Sequence, residues 1–354
     1  MIKIQEHLNR VDADIFLNTL AKDHWLTLNP RYKNNKGYLS NSLIEKCKKF
    51  YIESSTSSYL TKYANSDKKT AIRHKKFFLL LKKDRFKFLK KIITVRPDDF
   101  EAIQIEILKI LNLDDLFTTK GSKINQTHFG KLISDEFLNY KYFRGSENCK
   151  NLFLKLNFKS VTCPYCNYNK LDITTLTKKS SIAQKSKAYL DLDHFYPKAL
   201  NPFFALSFFN LIPSCHSCNS SDKGDMPFSI QTHINPYYES FDDIYKFKIS
   251  LVKLLGNSID VIEIQRISKP LDTSCIDFNL VSKYNNNIAS AENLIDLFLK
   301  YNKQHIGTIN ESSFIELIMK DIPINRRDIL KFPKAKLNRD ILQQIDINNV
   351  LGII

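Results

Sequence analysis

Four of the chain's seven cysteines fall into two C-x-x-C pairs, Cys163-Pro164-Tyr165-Cys166 and Cys215-His216-Ser217-Cys218, and an asparagine follows each pair. A C-x-x-C turn places two thiolates on one side of a tight knuckle, and two knuckles complete a tetrahedral four-sulfur site for Zn2+. Redox chemistry is the competing use of such a pair, but two pairs together suit a metal better. Four protein ligands leave no open position for water, so the zinc is expected to be structural. Cys47, Cys149 and Cys275 stand alone and read as packed or partly exposed thiols. An odd count, with no export signal, argues against a disulfide framework.

The 48 residues between the knuckles carry the other candidate chemistry. Tyr189-Leu190-Asp191-Leu192 alternates, predicting a strand that ends at Asp193-His194. Phe208-Phe209-Asn210-Leu211-Ile212-Pro213-Ser214 leads into the second knuckle, and Asn219 and Lys223-Gly224 follow it. In this order the pieces resemble the HNH endonuclease family, in the version whose ββα-metal core is braced by zinc on four cysteines. The resemblance spans residues 158 to 237, and the family's three named positions fall on His194, Asn210 and Asn219. Lys223 lies four residues after Asn219, one more than is usual in the family.

The residue chemistry points the same way. Phosphodiester hydrolysis needs a base to activate water and a cation for the departing oxygen. Histidine, with an unperturbed pKa of ~6.5, is able to accept a proton at cellular pH, which makes His194 the candidate base. Asp193 and His194 are neighbours on a strand and face opposite ways. Asp193 with the amide carbonyl of Asn219 makes a hard oxygen site for catalytic Mg2+ or Mn2+. The resemblance implies that Asn210 orients the imidazole or its loop. Lys198 and Lys223 are candidate phosphate contacts. His216 reads as an exposed knuckle residue and His233 as part of a structural turn. A non-catalytic zinc-dependent nucleic-acid-binding module would not need Asp193, His194 and Asn219. An RNase cutting tRNA keeps the chemistry and changes only the polymer. DNA is favoured because most members of the family cut DNA.

These residues have to be positioned by a chain of 354 residues and 43% hydrophobic content, long enough for a sizeable core. Fifty-three Lys and Arg against 37 Asp and Glu leave a net charge of +16, which favours polyanionic partners, unless it reflects only a general bias toward Lys, Asn and Ile. Residues 1–150 read as a helical, basic region. Eleven Lys and Arg lie between residues 67 and 91, with Phe78, Leu81, the stem of Arg85, Phe88 and Leu89 at helical spacing. That helix either docks on a phosphate backbone or presents a solvated charged face. A second helical stretch is predicted from Pro97 to Leu113, and a third from Phe129 to Arg144, after which Gly145-Ser146-Glu147-Asn148 reads as a linker.

Residues 151–240 hold the nuclease core. In 241–354, Tyr245, Phe247, Ile249 and Leu251 alternate, as do Ile262 and Ile264, about Gly256-Asn257, predicting a hairpin. Leu294, Leu297, Phe298 and Tyr301 predict a helix capped by Ser290. The expected class is α+β, mostly helical around a zinc-braced core. No apolar run suits a membrane span and the first residues lack the apolar core of a signal peptide, so a cytoplasmic location is expected; no P-loop appears, so an ATPase would have to be a separate chain. The stretch leading to Cys163 also resembles, more loosely, the nuclease subunit of Septu-type anti-phage systems. That likeness implies a role in anti-phage defence beside an ATPase partner protein.

Overall fold

The computed structural model describes residues 1–33, 36–121, 123–176, 185–250, 261–305 and 311–353. Helices dominate the first part, over Ile4–Leu8, Ala13–Thr27, Leu43–Glu53, Ser57–Tyr63 and Lys68–Thr94. Their starts follow local capping chemistry: Ser42 Oγ accepts from Glu45 N, Thr56 Oγ1 from Tyr59 N, and the Asp67 carboxylate from Lys69 N and Thr70 N.

The last of these helices is not continuous. The backbone leaves helical geometry at Lys83, and Asp84, Arg85 and Phe86 turn left-handed with φ of 49°, 55° and 65°. Each such residue without glycine costs roughly 1–2 kcal/mol. The expected stripe through Arg85 is therefore broken into two: Ala71, His74, Phe78 and Leu81 are buried before the turn, and Leu89, Ile92 and Ile93 after it. Lys76, Lys82, Lys83, Lys87, Lys90 and Lys91 are exposed.

The stretch predicted as helical from Pro97 is a 3-10 turn, Pro97–Asp99, and a helix, Phe100–Leu108. The predicted third stretch is also divided, into His128–Lys131, a π-helical turn Leu132–Phe137, and Tyr140–Gly145. Gly145-Ser146-Glu147-Asn148 is a helix junction rather than a linker, because Ser146 Oγ accepts from Cys149 N and starts the helix Glu147–Lys155. The expected boundary at residue 150 lies inside that helix.

Nine strands make four small antiparallel sheets among the described residues. They are β1 (Phe117–Lys120) with β2 (Lys123–Gln126), and β3 (Ser160–Thr162), β4 (Lys170–Leu176) and β5 (Lys185–Tyr189) in that order. Then come β6 (Asp191–His194) with β7 (Leu211–Ser214), and β8 (Tyr245–Ile249) with β9 (Ile262–Arg266). The β8–β9 pair matches the predicted hairpin, while its expected turn at Gly256-Asn257 lies outside the described residues. The helix expected after Ser290 begins at Ile288. The class is α+β, rich in helix.

Buried apolar residues from both ends of the chain join one connected core. Met1 O accepts from Asp242 N at 3.0 Å, and Ile4 N donates to Pro236 O at 2.9 Å. Asn167, in the first knuckle, holds the C-terminal region: its Nδ2 donates to Ile329 O and Phe332 O, and its Oδ1 accepts from Lys336 N. No helix among the described residues is long and apolar enough to cross a membrane.

Candidate functional site

The sulfurs of Cys163, Cys166, Cys215 and Cys218 all lie within 4.8 Å of one another, and all four residues are buried. The first knuckle closes where Asn167 N donates to Cys163 O at 2.7 Å, with Asn167 at a φ of 49°. The second closes where Asn219 N donates to Cys215 O at 3.0 Å. Donors surround the sulfurs: Asn169 Nδ2 and Cys218 N point at Cys215 Sγ, Cys215 N at Cys163 Sγ, and Lys283 Nζ at Cys218 Sγ. Four thiols this close compete for protons in a dry site, and a divalent cation removes the conflict by binding all four as thiolates. Burial, spacing and the ring of N–H donors fit a structural zinc.

Beside this cluster β6 pairs with β7, Asp191 opposite Ser214 and His194 opposite Leu211. Strand alternation turns Asp191 and Asp193 toward the short helix Ser217–Lys223 and sends His194 to the other face. Two separate groups of side chains result.

On one face, Asp193 is 2% exposed. Its Oδ1 accepts from Lys223 Nζ at 2.8 Å and its Oδ2 from Tyr165 Oη at 2.6 Å. Lys223 Nζ also donates to His194 O at 2.7 Å and lies 4.9 Å from the Phe228 ring centroid. Lys223 is thus inside the protein, 2% exposed, and not at a surface where it could meet phosphate. Asn219 is not beside Asp193. Its Nδ2 donates to Asp191 Oδ2 at 3.2 Å, and the same oxygen meets His216 Nδ1 at 3.0 Å. As they stand, Asp193 and Asn219 do not fit the Mg2+ site expected of them, since both carboxylate oxygens are taken by protein donors.

On the opposite face, His194 Nε2–H donates to Ala205 O at 3.1 Å, which fixes the neutral tautomer with its lone pair on Nδ1. No hydrogen bond from Nδ1 to a described residue is formed. Burial pushes the pKa of His194 down to about 3, against the hydrogen bond to Ala205 O, which works upward. Tyr140 meets the imidazole edge-on at 4.5 Å between centroids and donates from its hydroxyl to Leu192 O. Lys198 Nζ is 5.4 Å from the Tyr140 ring centroid and 3.5 Å from Asp135 Oδ1, with its side chain 27% exposed. The turn after His194 is clamped by Asn210: Oδ1 accepts from Tyr196 N at 2.7 Å, and Nδ2 donates to Tyr196 O and Phe204 O. His233 is buried, stacked on Phe228 and bonded to Asp277 Oδ2 at 2.9 Å.

Sequence reasoning passed over Asp191, Tyr165, Tyr140 and the carbonyl of Ala205. Asp191 carried a signal, its place two residues before Asp193 on the same strand face; a backbone carbonyl and two tyrosines carried none. No family model, curated protein or solved structure matches this chain.

Proposed function

We propose that this chain is an HNH-type endonuclease that hydrolyses phosphodiester bonds of nucleic acid, DNA favoured, with His194 as general base and zinc on Cys163, Cys166, Cys215 and Cys218 bracing the core. The observation that supports it best is the His194 ring itself, neutral, backed by the Ala205 carbonyl through Nε2–H, and with Nδ1 left to accept a proton. A pKa this low makes a weak base, and an anionic phosphodiester beside the ring raises it.

In the proposed reaction, water attacks phosphorus as its proton passes to His194 Nδ1. The bond from phosphorus to the 3′-oxygen breaks, and that oxygen takes up a proton from solvent, giving a 5′-phosphate and a 3′-hydroxyl. Lys198, partly exposed next to Tyr140, is assigned to a phosphate oxygen. The exposed lysines at 82, 83, 87, 90 and 91 offer a sequence-independent grip on the backbone. Their helix is tied to the His194 loop, where Ser207 Oγ donates to Ile92 O at 2.6 Å. Action beside an ATPase partner in anti-phage defence remains the setting implied by resemblance.

The test is cleavage by wild type and His194→Ala of plasmid DNA and, separately, total RNA, with Mg2+, Mn2+ or EDTA. The expected result is cutting by wild type that is lost in the variant, with the product of the neighbouring gene added as a candidate partner if the isolated chain is silent. Equal cutting by both proteins, or none by either even with that partner, refutes the proposal.

A further inference from the structure

The misfit at Asp193 has a counterpart one step along the same strand. Asp191 and Asp193 lie on one face of β6, about 7 Å apart at strand spacing. The helix Ser217–Lys223 lays Lys223 over Asp193 and places Asn219, with His216 just before it, over Asp191. The two carboxylates have different fates. Asp193 is sealed by an ammonium and a phenol, whereas Asp191 is partly exposed, its side chain 33% accessible, next to a His216 side chain that is 78% accessible.

We propose that Asp191, His216 and Asn219 form a divalent-cation site, and that Lys223 serves as the built-in cation of Asp193. An imidazole and an amide converge there on Asp191 Oδ2, at 3.0 and 3.2 Å, while Asp191 Oδ1, unlike either oxygen of Asp193, accepts no hydrogen bond from a described residue. Turning the Asn219 amide by half a turn presents its Oδ1 instead of Nδ2, completing an O, N, O donor set suited to Mn2+, Ni2+ or Zn2+ more than to Mg2+. Exposure leaves room for the waters or the phosphate oxygen that such ions keep. The neighbouring charge also favours a cation: His216 and Asn219 are adjacent in sequence to Cys215 and Cys218, and a zinc on four thiolates carries a formal charge of about −2. Lys283, bonded to Cys218 Sγ at 3.7 Å and to Asp222, offsets part of it.

The site stands apart from the hydrolytic role of His194, and the probe can be Mn2+ alone. Zinc-loaded full-length protein is titrated with Mn2+ and followed by electron paramagnetic resonance, with zinc content as the check on folding. Wild type and His194→Ala are expected to bind one Mn2+ per chain, Asp191→Asn to lose it, and His216→Ala to bind it more weakly. The paired variant Asp193→Asn/Lys223→Met, which removes both partners of the buried ion pair together, is expected to bind Mn2+ as wild type does. Retention of Mn2+ in Asp191→Asn, its loss in the Asp193/Lys223 pair, or no binding by wild type at millimolar Mn2+ overturns the proposal. Mn2+ binding without cleavage of either polymer retains the cation site while removing the nuclease reading.

Discussion

In the proposed reaction His194 supplies the reacting atom, and Asn210 holds the turn that follows it. The Asn210 side chain is fully buried and supplies three hydrogen bonds to the backbone of Tyr196 and Phe204. Asn210→Ala leaves those backbone groups without partners and is expected to cost about 2–4 kcal/mol, read by urea unfolding; under the proposed function, cleavage should fall beyond what the unfolded fraction explains. His24 makes a second test at this scale. Its Nε2 lies 2.9 Å from Leu206 O, and burial pushes its pKa down to about 4, against the upward pull of that hydrogen bond. Between pH ~6.5 and the folded value, the unfolded chain binds a proton that the folded one refuses. The stability due to neutral His24 is therefore complete above that window and falls as pH drops through it. His24→Gln should remove roughly 1.4 kcal/mol per pH unit from the acid slope of the unfolding free energy, measured at pH 7, 6 and 5. An unchanged slope would count against a neutral buried ring.

At the scale of elements, the two knuckles bind the loop before β4 to the start of the short helix after β7, and β6–β7 lies between. Purified protein is expected to hold about one zinc per chain. Structural zinc contributes on the order of 10 kcal/mol to a small fold, so Cys166→Ser should lose the metal and expose the amides of β6 and β7 to hydrogen exchange. Zinc-free protein with those amides still protected would show that the sulfurs pack without an ion. The cysteine knuckles, the strand ending at His194 and the β8–β9 hairpin were legible because each rests on spacing within a few residues. Which helix residue lies over which strand residue was not. The helix Ser217–Lys223 is wound with π-type bonds, Gly224 N donating to Asn219 O. The wider turn brings Lys223, one residue later than in the pattern the sequence resembles, onto the same face as Asn219. The same limit hid the break at Asp84-Arg85-Phe86, where no glycine announces a left-handed turn. It also made a cap at Ser146 look like a linker.

Across the whole molecule, charges rather than apolar surface alone join the two ends of the chain to the core. Lys336 is fully buried and pairs with Asp242 at 2.6 Å and with Asp340, while Lys246 lies 3.2 Å from Asp242. Arg326 reaches Glu6 at 2.7 Å and Asp243 at 2.8 Å. Lys336→Met strips a cation from two buried carboxylates and is expected to destabilise the chain by about 3–5 kcal/mol, seen as a lower urea midpoint. A midpoint within error of wild type would mean that Lys246 and Arg326 suffice. The separation of the knuckles along the chain also has a consequence during synthesis. At 5–20 residues per second, the 48 residues between Cys166 and Cys215 take about 2–10 seconds to emerge. For that interval the first pair of thiols waits as half a site, open to oxidation or to a loosely held ion. A cell short of zinc, or under oxidative stress, would therefore accumulate newly made chains in which the two knuckles have never been joined around β6 and β7.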